Sequence, residues 1–74
     1  MTTLTKQDKI QIISSHLRNL EYRKYGIELD IIVEQAKTAP VSEVISKNQE
    51  YLDEISNQMA ALNTELAAVN ALTE

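Results

Sequence analysis

The chain has 74 residues, no cysteine, one glycine, one proline and three tyrosines as its only aromatic residues, and its formal net charge is −4. A chain this short buries only about 60% of the surface that it exposes when unfolded, so a compact monomer gains little stability from its core. The lack of cysteine excludes disulfide bridges and thiolate metal sites, and the scarcity of turn residues favours extended helices.

No targeting or membrane segment is expected. The N-terminal residues carry no apolar stretch of the kind found in a signal peptide, and no uninterrupted apolar run approaches the roughly 18 residues that span a bilayer. We therefore expect a cytoplasmic protein that does not bind a membrane.

The first helix is expected to begin after Thr5, because Thr5 followed by Asp8 is a helix N-terminal signature with a short acid in place of the preferred Glu or Gln. Apolar residues then recur at spacings of three and four, which mark one helix face. They are Ile10, Ile13, Leu17, Leu20, Ile27 and Ile31, and Lys24, whose charge can reach out to water, occupies the remaining position.

Gly26 lies inside this pattern and costs about 1 kcal/mol relative to alanine in a helix interior. It either belongs to one continuous helix or ends the helix at Tyr25 as a C-terminal cap. The apolar period continues in phase across Gly26, which favours one continuous helix.

Pro40 interrupts the helical pattern, and Thr38 or Ser42 is expected to cap a second helix after it. The second helix carries an unbroken heptad pattern at spacings of three and four: Ile45, Asn48, Leu52, Ile55, Met59, Leu62, Leu66 and Val69. Asn48 is its one polar member. It either specifies the register or is partly hydrated near the turn.

A turn near Pro40 and antiparallel packing pair every seam position of the first helix with a seam position of the second, including Lys24 with Ile55. Ile10 then faces Val69, Leu17 faces Leu62, and Ile31 faces Asn48. The sequence thus predicts an all-α fold, a coiled-coil-like antiparallel hairpin that oligomerises into a four-helix or larger bundle. We expect one helical hairpin over residues 1–74, with helices at about 5–38 and 42–72 and a turn at about 38–42.

The first helix also has a second apolar stripe, which points nearly opposite to the first at about 100° per residue. It consists of Tyr22, Tyr25, Leu29, Ile32, Val33 and Ala36. One partner helix cannot cover both faces, so we predict that this stripe is an interface. It serves either self-association, with a dimer favoured, or docking to a different helical protein. The second helix carries alanines on the face opposite its heptad positions. They either allow another helix to approach closely or are present only because alanine favours helix formation.

No residues are arranged for catalysis, so a non-enzyme without metal or cofactor is predicted. His16 is the only histidine, and no carboxylate three residues before it completes a metal-binding Glu-x-x-His pattern. Three pairs of acidic residues lie either on one helix face or next to each other in the chain, and we interpret them as solvated helix surface. They are Asp30 with Glu34, Glu50 with Glu54, and Asp53 with Glu54.

Charge is unevenly distributed along the chain. Basic residues concentrate in the N-terminal third, at Lys6, Lys9, Arg18, Arg23 and Lys24, and only acidic charges follow Lys47. Antiparallel helices would place these two regions side by side. Because five scattered cations beside an acidic helix make a poor basic face, nucleic-acid binding is not expected.

The segments 5–9 (TKQDK), 17–22 (LRNLEY) and 71–74 (ALTE) give the chain a sequence that resembles the small uncharacterised helical proteins encoded by tailed phages, marine cyanophages in particular. The resemblance carries no functional residues and implies a host cytoplasm or a virion as the setting. The function expected is that of a non-enzymatic interaction module: a scaffold, adaptor or small structural component. The alternative is a small regulator or inhibitor that docks the face from Tyr22 to Ala36 on a different protein, such as one of the host.

Overall fold

The computed structural model describes residues 3–73 and consists of two antiparallel helices. Helix α1 spans Lys6–Gln35 and helix α2 spans Ser42–Asn70. The molecule measures 57 × 18 × 16 Å. Because a helix rises about 1.5 Å per residue, each helix is roughly 45 Å long, and the fold is a rod two helices wide. The predicted all-α hairpin is confirmed.

The start of α1 is the predicted capping box. The Asp8 backbone N–H donates to Thr5 Oγ1 at 3.1 Å, and the Thr5 N–H donates to an Asp8 carboxylate oxygen at 3.1 Å. Two N–H groups that the helix cannot satisfy are thereby paired. Aspartate is long enough to replace the usual glutamate here.

Gly26 lies inside α1, which continues without a break to Gln35. No glycine among the described residues has a positive φ, so Gly26 is an ordinary helical residue and not a cap. The prediction of one continuous helix is confirmed.

The two helices meet along the predicted heptad positions. Every α2 side chain that is not exposed belongs to the predicted seam, and Ile55 and Val69 are its most deeply buried members. On α1 the corresponding buried residues are Ile13 and Leu20. The remaining seam side chains, including Lys24 and Asn48, are half-buried, as expected where one helix covers another on one side only.

Contacts along the rod agree with the predicted antiparallel register. Near the open end, Lys6 Nζ donates to the Leu72 carbonyl oxygen at 3.1 Å. Further along, Leu20 and Leu62 line one groove between the helices, and Ile27 and Ile55 line another. Along the helix axis, each of these pairs is displaced from the predicted pairing by no more than about one helical turn, or 5.4 Å.

The turn differs from its prediction. Helix α1 ends at Gln35 instead of about residue 38, and the N-cap of α2 is Val41, which makes no side-chain capping bond. Neither Thr38 nor Ser42 is the cap. Two effects explain the early end of α1. First, Ala39 precedes Pro40, and the α-helical conformation is disfavoured for a residue in that position. Second, the chain must reverse direction before α2 begins at Ser42.

Candidate functional site

The second apolar stripe of α1 lies outside the hairpin and is exposed along its whole length. We call this set the outer stripe: Tyr22, Tyr25, Leu29, Ile32, Val33 and Ala36. Its five large side chains are between 41% and 64% exposed. The structure therefore brings the predicted interface residues together on one surface of α1 and leaves them without cover from α2.

The outer stripe repeats the spacing of the seam. Positions 22, 25, 29, 32 and 36 follow one another at intervals of three and four, the heptad spacing of helices that pack on a partner. At about 100° per residue, this set points away from Leu20, Ile27 and Ile31, which face α2. The half of α1 nearest the turn is consequently apolar on two opposite sides.

A charged cluster marks the N-terminal end of the outer stripe. The Arg18 guanidinium lies 4.8 Å from the centre of the Tyr22 ring, and it forms a salt bridge of 3.1 Å with Glu21. Contact with Tyr22, and then with Glu21, raises the pKa of Arg18. Because the guanidinium stays charged, the apolar surface stops at Arg18.

Two open grooves lie side by side between the helices and share Arg23 and Gln58 in their linings. The smaller, with a volume of 240 Å³, is lined by Ile27, Tyr51 and Ile55 among others. This volume is below the roughly 300–1,000 Å³ of ligand-binding clefts. His16 is exposed at the larger groove, whose volume of 490 Å³ reflects a wide opening to solvent. Neither groove encloses a small molecule.

Glu34 is the one buried charged residue among those the structure describes, with 6% of its surface exposed. Its carboxylate accepts the Val41 backbone N–H at 3.0 Å and a Lys37 Nζ hydrogen at 2.9 Å. These bonds, first that from Val41 and then that from Lys37, lower the pKa of Glu34. A side chain of α1 thus accepts the N–H of the N-cap residue of α2, the donor that a glutamate at the third helical position accepts in a capping box.

The interpretation of Glu34 as solvated helix surface is therefore wrong. The seam of α1 runs through positions 24, 27 and 31, and its next step of three residues is position 34. That spacing was the signal for burial. The carboxylate is tolerated at this position because two hydrogen bonds replace the water that it loses.

The other charged residues form no shared site. The basic residues of α1 point in several directions: Lys6, Lys9 and Lys24 are half-buried toward the seam, while Arg18 and Arg23 are exposed. Within residues 3–73, no three His, Cys, Asp or Glu side chains lie close enough together to hold a metal ion. In the same range, no helix combines the length and the apolar character needed to cross a membrane.

Salt bridges between described side chains are local. Besides Arg18–Glu21, they join Glu34 to Lys37 at 2.9 Å and Lys47 to Glu50 at 3.8 Å, each pair three residues apart. None of these crosses from α1 to α2.

No protein-family model matches this chain, and no match was found among curated proteins or among solved structures.

Proposed function

We propose that this chain is a helical protein–protein interaction module that acts by binding and not by catalysis, and that it self-associates through the outer stripe. Two hairpins joined in this way form a four-helix bundle, the arrangement that covers amphipathic helices left open on one side. The observation that carries the proposal is the run of exposed large side chains on α1, from Tyr22 to Val33.

The size of the outer stripe supports this proposal. A fully exposed aromatic side chain presents about 150–250 Å², and aliphatic side chains somewhat less, so the exposed fractions on the stripe amount to roughly 500 Å² per chain. The largest apolar patch of a typical monomer is about 300–600 Å² and is often functional, and the outer stripe lies in the upper part of this range. Two such stripes in full contact bury at most about 1,000 Å², which is the lower limit for a biological interface and is typical of weak association.

The composition of the outer stripe also fits an interface. Tyr22 and Tyr25 have apolar rings that pack and hydroxyl groups that remain hydrated at a rim, which is why tyrosine is enriched at interfaces. Leu29, Ile32 and Val33 supply the dry centre. The helix is already held in place by its seam with α2, so association orders little additional backbone and loses little entropy.

The test is sedimentation equilibrium beside circular dichroism, from about 1 µM to about 1 mM protein. We expect wild type to reach twice the chain mass, and Leu29→Asp and Ile32→Asp to remain at the chain mass. Burying an unpaired carboxylate costs about 3–5 kcal/mol, and each dimer would bury two. Helicity should persist in both variants, because the seam with α2 is unchanged.

Ile12→Asp is the matched control. Ile12 is on α1, is 45% exposed, and lies outside the outer stripe, so this variant should dimerise as wild type does. A wild-type chain that stays monomeric throughout would contradict self-association. The outer stripe would then bind a different protein, as expected for a regulator or inhibitor. Loss of the dimer in Ile12→Asp as well would show that the interface lies elsewhere on α1.

A further inference from the structure

We draw no further inference here: the strongest candidate, the pair of adjoining grooves between α1 and α2 that share Arg23 and Gln58 in their linings, is open to solvent, and nothing in the structure shows what covers it.

Discussion

Helices α1 and α2 are almost equal in length, at 30 and 29 residues, but they use their apolar residues differently. On α2 these residues concentrate on the face toward α1, and the outer face of its C-terminal half is alanine and polar side chains. Val44 and Tyr51 are exposed beside the seam, where Lys47 Nζ lies 5.9 Å from the centre of the Tyr51 ring. On α1, near the turn, large apolar side chains cover two opposite faces.

This difference separates the residues needed for folding from those available for binding. The hairpin accounts for the apolar residues of the α2 seam, because each faces α1. It does not account for the outer stripe, whose exposure α2 cannot reduce. Helix α1 therefore carries the exposed apolar surface, while α2 packs against the opposite face of α1.

The largest effect is expected from breaking the seam that the two helices share. Ile55 is only 3% exposed, so Ile55→Ala should lower the free energy of unfolding by about 2–5 kcal/mol through lost burial and an unfilled cavity. Leu17→Ala should cost about 2 kcal/mol, at the lower end of that range, because Leu17 is half-buried. Urea denaturation followed by circular dichroism measures both values.

Val44→Ala is the control for these substitutions. Val44 is 40% exposed, and surface changes of this kind usually stay within about 0.5 kcal/mol. A cost for Leu17→Ala as small as that of Val44→Ala would mean that Leu17 does not pack against α2 as the pairing with Leu62 requires.

A smaller effect is expected at the turn, where the two helices are tied together. The folded-state pKa of Glu34 is lowered, first by the Val41 N–H and then by Lys37. Its ionised form therefore stabilises the fold at every pH above the ordinary pKa that a glutamate has in the unfolded chain. This contribution is lost as the pH falls through the lowered folded-state pKa. Glu34→Gln should thus destabilise the hairpin at neutral pH, and the difference from wild type should shrink on acidification.

Thermal unfolding of both chains between about pH 7 and pH 2 tests this expectation. Glu50→Gln is the control, because it removes an exposed carboxylate whose contact with Lys47 is 3.8 Å long and contributes little. If the difference between wild type and Glu34→Gln does not change with pH, the charge of Glu34 does not hold the turn.

Periodicity in the sequence was sufficient to predict most of this fold. The residues of both seams, the capping box at Thr5 and the continuity of α1 through Gly26 depend on local spacing and on neighbouring residues, and all are confirmed. The end of α1 and the cap of α2 could not be predicted in this way. Both lie at the turn, where the hydrogen bond from the Val41 N–H to Glu34 forms only once the chain has reversed direction.

The sequence was sufficient to predict where the candidate site lies, but not which partner covers it. The same spacing that marks a seam also places the outer stripe from Tyr22 to Ala36 on one face, and the structure shows these residues exposed. A pattern of apolar residues contains no information on what covers it.

The smallest effect is expected from Gly26→Ala, which should stabilise the hairpin. In the monomer, alanine fits the helical conformation and the open space around it, so it should raise the free energy of unfolding by about 0.4–1 kcal/mol. Chemical denaturation at low protein concentration measures this gain. Destabilisation already in the dilute monomer would show that the hairpin itself needs glycine at this position.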